Sequence, residues 1–470
     1  MRPRTQHYNR SLLLLALAGL TQLTYCTKEV QEATSNEIIA SAARPGGGGE
    51  GSVTRYPLFI PTAVSGTSLT LTAAPGTHNL GNASTNVWEY NGSVPGPTIV
   101  ANKGDNVSIT YNNELPEPSI IHWHGMLVDH TNDGQPMQVV PAGGTYSYTF
   151  PIINRAALNW YHPHPHMTIG KQVYNGLAGA FIIRDAEEGA LNLPSAKYEV
   201  PLVFRDITLD KKGQPVYNPT GGGYFGKTPL VNGTRDPYLA VDKAVYRFRV
   251  LIGSTSRVFN LALSNGAPFT LIGNDGGLLP QSSTHTAIEV CPGERLDLLV
   301  DFRNVPTNSK IMLKDLASGW DLLEFRVTET SVAYSGPLTT ASSITALSNP
   351  VLTRTFSFDG MGKINGLPYD MDAISFEVPF DQTEKWVFKT NGNGPHPVHV
   401  HGASFQVINR TGGRGQLFAW EAGWKDVVLV NDAETVEVLI RFDAYRGDYV
   451  MHCHKLEHED NGMMLNFRVK

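Results

Sequence analysis

The sequence predicts an all-β protein built from consecutive β-sandwich units, three of them. Runs rich in β-branched and aromatic residues, bounded by Gly, Pro and Asn, recur along the whole chain. Long amphipathic helical patterns are missing. An Asn-Gly turn appears at Asn91-Gly92, Asn232-Gly233 and Asn365-Gly366, each followed shortly by a strand-like run: "DNVSITY", "AVYRFRV" and "KWVFKT". At 470 residues the chain is long enough for several domains, each with its own core.

The start of the chain is of another kind. Arg2, Arg4 and Arg10 precede the apolar run "LLLLALAGL" at 12–20, which is shorter than the roughly 20 residues of a membrane span. This is the pattern of an export signal covering residues 1–26. Cys26, just after the apolar run, resembles a bacterial lipoprotein cleavage site, although Tyr25 is bulkier than the residue usual there. Lipid anchoring at Cys26 and plain secretory cleavage nearby are the two readings. The protein is expected to be exported, to the periplasm or the cell envelope. Residues 27–54, ending near "ARPGGGGEGS", suit a flexible tether.

The first sandwich is expected over 55–186, the second over 198–330 and the third over 351–470. The stretches 184–198 and 329–350, poor in strand pattern, separate them. A net charge of −6 without long runs of one sign argues against nucleic acid as a partner. Beyond Cys26 only Cys291 and Cys453 remain. Cys291, in "IEVCPGERLDLLV", reads as a small buried hydrophobe. Cys453 sits between two histidines in "HCHKLEHEDNGMM" and needs another explanation.

Histidines supply it. Of 15 in the chain, several fall in His-X-His pairs: "HWHG" (His122, His124), "HPHPH" (His162, His164, His166), "HVH" (His399, His401) and "HCH" (His452, His454). Along a strand, residues i and i+2 share a face, so each pair presents two imidazoles together. Pairs near both ends of the chain predict one cluster where the first and last units meet. By the same parity His396 and Cys453 point the other way, towards a second site completed by His458 and Met463 once the chain turns. Met464, one residue further, is expected to face away into the domain core. Two His, one Cys and a weak axial Met form the ligand set of a blue-copper centre, whereas zinc prefers four strong ligands.

These motifs, "HWHG", "WYHPH", "HPVHVHG" and "HCHKLEHEDNGMM", in order and with their internal spacing intact, resemble the copper-binding signatures of the three-domain multicopper oxidases. That family includes laccases, bilirubin oxidases and bacterial copper-efflux oxidases. The resemblance spans roughly 55–470 and implies three cupredoxin-like Greek-key β-sandwich domains with four copper ions: one type 1, one type 2 and two type 3. It implies that His122 and His399 hold type 2 copper. His124, His162 and His454 would hold one type 3 ion, and His164, His401 and His452 the other. His396, Cys453 and His458 would hold type 1 copper, with Met463 axial. His166 is read as a polar neighbour, and His7, His78, His130 and His285 as surface residues.

By the same resemblance, a small reducing substrate (a phenol, an aromatic amine or a metal ion) yields single electrons at type 1 copper, and dioxygen is reduced to water at the trinuclear cluster. Asp133, nine residues after His124, and Glu459, directly after His458, match positions that supply protons. Asp133 also reads simply as the turn residue of an Asp-Gly pair. Rival readings are a cuprous oxidase for copper tolerance, a bilirubin oxidase, and a non-catalytic copper-binding protein like the cell-division relatives that have lost their ligands. The cuprous reading is weakened by the scarcity of Met between 330 and 396, although Met361 and Met371 stand there.

Overall fold

The computed structural model describes residues 53–80, 84–220, 222–390, 392 and 394–470. The expected export signal with Cys26, and all of the expected tether but its last two residues, lie outside the described residues. No helix among the described residues is long and apolar enough to cross a membrane.

Among the described residues strands pair into six sheets, two for each of three successive stretches of chain. In the first stretch, the strands Ser68–Asn79, Ser84–Tyr90, Asn106–Asn113 and Thr145–Pro151 form one sheet. Ala63–Ser65, Gly96–Asn102, Ile121–His124, Ala157–Pro163 and Gly179–Arg184 form the other. The middle stretch builds a seven-stranded sheet and five strands of a six-stranded one, and the last builds two five-stranded sheets. Each pair of sheets encloses its own apolar core. The strand Tyr56–Pro57 pairs with Pro237 and Tyr238, so the chain touches the middle sandwich before entering the first.

The turns at Asn91-Gly92, Asn232-Gly233 and Asn365-Gly366 close two-residue hairpins in which both residues have positive φ, 48–54° at Asn and 67–75° at Gly. That is the turn whose twist matches paired strands.

Burial along the strands explains how the histidines are presented. Asn106–Asn113 alternates between buried and more exposed positions, as a strand with one wet face should. Ala157–Pro163 and His396–Val400 are buried throughout. One face of each lines its own sandwich core. The other meets a neighbouring sandwich: Leu158 and Trp160 pack with Val203 and Leu251 of the middle one. Residues 332–352, all described, carry neither strand nor helix. They cross the molecule as a strap, with Ser342 bonded to Leu279 and Leu347 to Gln406.

Candidate metal centre

In the first sandwich Ile121–His124 runs antiparallel to Ala157–Pro163, with His122 opposite His162 and His124 opposite Trp160. Ile121, Trp123 and Tyr161 fill the core of that sandwich. Strict alternation therefore turns His122, His124 and His162 outward. In the third sandwich His399 stands opposite His452 and Val398 opposite Cys453. Val398, Val400, Met451 and Cys453 belong to the core, so His399, His401 and His452 face out towards the first sandwich. The parity expected from sequence holds on both strand pairs.

The outward faces meet. His164 and His452 approach to 3.3 Å between Nε2 atoms, His401 and His452 to 3.1 Å, and His122 and His399 to 3.4 Å. The rings of His122 and His401 stack at 3.8 Å, and those of His124 and His399 at 3.7 Å. His454 lies 4.9 Å from the ring of His124 and 5.3 Å from that of His162. Ligand atoms converge to within 4.8 Å in the sets His164/His401/His452, His122/His399/His401 and His122/His124/His162. The first of these is a type 3 set implied by the resemblance. In the other, His124 and His162 converge with His122, while His454 stands beside them.

Eight buried imidazoles are costly to assemble without a purpose. Nε2 of His162, Nδ1 of His164 and both ring nitrogens of His454 are buried and make no hydrogen bond. Burial, the largest influence on each, pushes the basicity of His124, His162, His164, His399, His401 and His454 down, His401 to about 3. They are neutral at ordinary pH, the form that binds metal. The donor set fits copper, with imidazole suiting that metal well.

Behind the cluster, Cys453 Sγ lies 3.5 Å from His396 Nδ1 and 3.9 Å from His458 Nδ1, and the two Nδ1 atoms are 3.2 Å apart. These three atoms form a separate convergent group. The short helix Leu456–Asp460 brings His458 back to the strand. Met463 is fully buried; its N–H donates to the His458 carbonyl and its carbonyl accepts from Cys453 N–H. It packs in the same core as Cys453. Met464 does face away from Cys453, but not into the core. It is the cross-strand partner of His452 and shares the outward face, which is buried because the first sandwich covers it. Burial pushes the Cys453 thiol up to about 12, so binding a metal as thiolate must displace its proton.

Three acids line the histidines. Asp133 is fully buried, and its Oδ2 accepts from His401 Nδ1 at 2.8 Å, while its carbonyl accepts from His122 Nδ1 at 2.8 Å. Burial raises its carboxyl, but His401 and His122 outweigh that and hold it well below the usual range. Asp133 is thus both the turn residue and a partner of two histidines. Glu459 lies with Oε1 3.1 Å from His164 Nε2 and Oε2 3.1 Å from His452 Nδ1. Sequence reasoning missed the third. Asp426 Oδ1 lies 3.1 Å from His124 Nε2, and its carbonyl accepts from His399 Nδ1 at 2.8 Å. It sits in "GWKDVVLV", a stretch with no paired ligands to flag it.

His166 is half-buried, with its ring 5.1 Å from that of Tyr369, and joins none of the convergent groups. His78, His130 and His285 are also half-buried and outside those groups. His7 lies outside the described residues. Cys291 is buried and unbridged, packed with Val427 and Leu429. A cleft of about 170 Å³, lined by Asn154, Arg155, Asn159 and Trp424, adjoins a smaller cavity bordered by His122, His399 and His401, with Gly125, Leu127 and Ala403 common to both.

Fold and site together define a copper protein with two adjacent sites. Residues 73–188 and 339–470 match sequence models of multicopper oxidases. The chain is 32% identical to a laccase of Bacillus subtilis over 458 residues, covering 81% of this chain and 89% of that one. It is likewise 32% identical to the cell division protein FtsP of Sodalis glossinidius, covering 82% and 85%. The crystal structure of the multicopper oxidase McoA from Aquifex aeolicus superposes with a TM-score of 0.83 at 37% identity, covering 89% of this chain and all of that one. The chain belongs to the multicopper oxidase family and is an oxidase.

Proposed function

We propose that this protein is a laccase-like oxidase, exported to the periplasm or cell envelope, that takes single electrons from phenols, aromatic amines or similar small reductants. His396, Cys453 and His458, with Met463 axial, would hold type 1 copper. The type 2 ion would rest on His122 and His399. The two type 3 ions would rest on His124, His162 and His454 and on His164, His401 and His452. Bound copper supplies one-electron acceptance at the first site and four-electron reduction of dioxygen to water at the second.

One observation carries this reading: Cys453 opposes Val398 on the core face while His452, its neighbour in the chain, opposes His399 on the outward face. Two sites are thereby joined through one peptide unit, with Cα atoms about 3.8 Å apart. The remaining work falls to the chain's own groups. Asp133, accepting from Nδ1 of His401, holds that ring with Nε2 turned to the cluster. Glu459, between His164 and His452, and Asp133 are the groups assigned to proton delivery. The cleft beside His122 and His399 is suited to the passage of oxygen and water. Export rests on the basic start and apolar run alone, with Cys26 as the proposed lipid attachment point.

A specific observation favours the cuprous oxidase reading as second. The backbone of Gly222 lies beside the His458 ring. Met361, 53% exposed, has its Cε 4.0 Å from where a Cβ on Gly222 would stand. A soft thioether thus lies on the surface beside Gly222, the residue whose backbone adjoins His458. Oxygen uptake by copper-loaded protein with a phenol, Cu(I), Fe(II) and bilirubin separates the readings. Uptake with the phenol is the expected result. Uptake with Cu(I) alone would select the second reading, and none with any reductant would return the protein to the non-catalytic class.

A further inference from the structure

The middle sandwich contributes no histidine to the cluster, yet it forms one wall of it. Its turn at Pro292–Gly293 places Gly293 against two of the rings. A Cβ on Gly293 would stand 3.1 Å from His454 Cγ and 3.2 Å from His124 Cε1, and its φ of +85° is one that side chains disfavour. Two residues on, Arg295 is fully buried where the three sandwiches meet. Its Nε donates to the Leu158 carbonyl of the first at 3.0 Å, and Nη1 to the Gly293 carbonyl at 2.9 Å. Both Nη atoms grip the Asp426 carboxylate of the third, at 2.6 and 2.5 Å.

Asp426 in turn reaches His124 through Oδ1 and His399 through its carbonyl. The adjacent Lys425 is anchored to the middle sandwich as well, 3.0 Å from both Asp275 Oδ2 and Glu294 Oε1. The glycine of "HWHG" belongs to the same arrangement: a Cβ on Gly125 would stand 2.6 Å from Arg295 Nη2 and 2.9 Å from Asp426 Oδ2. A two-pronged guanidinium–carboxylate contact fixes orientation as well as charge.

We infer that Gly293 and Arg295 are positioning residues for the copper cluster: the middle sandwich, through them, sets the His399 ring of the type 2 site and the His124 and His454 rings assigned to the neighbouring type 3 ion. The inference rests on the copper assignment above. Arg295 occupies both oxygens of Asp426, which fixes where Oδ1 meets His124 and where the carbonyl meets His399. Loss of the fork leaves a buried carboxylate without its partner beside two ligand histidines. Such outer partners, when removed, weaken metal affinity by roughly 10–100-fold.

The test is the type 2 copper EPR signal and the copper bound per chain after dialysis against a weak chelator, in the full-length holoprotein. The unmodified chain is expected to keep its signal. Arg295→Met should lose it while keeping the blue absorption of the Cys453 site, which lies on the core side of the third sandwich. Arg295→Lys, with the charge but not the fork, should recover part of it. Gly293→Ala, which crowds His124 and His454, should keep the blue absorption but bind less copper per chain after the same dialysis. An unchanged type 2 signal in Arg295→Met together with unchanged copper content in Gly293→Ala would overturn the inference. If Arg295→Met loses the blue colour too, Arg295→Lys and Gly293→Ala decide: a type 2 signal altered in the first or a copper content lowered in the second supports the inference, and neither change refutes it. An unmodified chain with no type 2 signal would instead overturn the copper assignment itself.

Discussion

The Asp133 carboxylate accepts the Nδ1–H of His401 at 2.8 Å, across 268 residues of chain and from the first sandwich to the third. It orients that ring, and the proposed second role is handling protons. Asp133→Asn keeps the shape and removes the acid. Bleaching of the blue colour by a reductant should stay fast, while its return in air slows by roughly 10–100-fold. Stopped-flow absorbance measures both phases. An unchanged return across the pH range would leave Asp133 with the turn and the orienting of its histidines, and no part in proton delivery.

Met463 shares the core of the third sandwich with Cys453, and its backbone bonds to both His458 and Cys453. A thioether donates weakly and leucine donates nothing, so Met463→Leu should raise the type 1 potential while the blue colour persists. Similar volumes keep the packing cost under about 1.5 kcal/mol. Redox titration is the measurement. A shift with Met464→Leu and none with Met463→Leu would reverse the assignment.

Glu199 binds Arg184 through both carboxylate oxygens and accepts from Arg249 Nε at 2.8 Å. Burial raises its carboxyl, but Arg249 and Arg184 outweigh that and bring it down to about 2. A lowered folded-state value adds stability above the unfolded value of about 4.3, lost as pH falls through the folded one. Glu199→Gln should cost on the order of 1–3 kcal/mol at pH 7, the difference from the unmodified chain closing between about pH 4 and 2. Chemical denaturation at stepped pH tests this. A difference independent of pH would show that the charge is not the cause.

The strand period makes much of the site legible in the amino-acid sequence itself. A period of two separates His399 and His401 from His396, and His452 and His454 from Cys453, whatever the surrounding fold. Met464 shows where that reasoning stops. Its reversal relative to Met463 is readable, but its destination is not, since a face buried against another sandwich looks in sequence like a face buried in a core. The helix Leu456–Asp460 is too short to show periodicity, although it delivers His458. Asp426 and Arg295 lie beyond reach for another reason. Their meaning comes from His124, Leu158, Gly293 and Asp426 converging from three sandwiches, and no local pattern records that.

Cys453 carries the central claim, as the proposed copper thiolate of the His396/Cys453/His458 group. The direct measurement is the visible spectrum of copper-loaded Cys453→Ser beside the unmodified chain, with oxygen uptake recorded on the same samples. The unmodified protein should be intensely blue and active. The serine variant should be colourless and inactive, yet still bind copper in its histidine cluster. A Cys453→Ser protein that is blue and consumes oxygen would contradict the account.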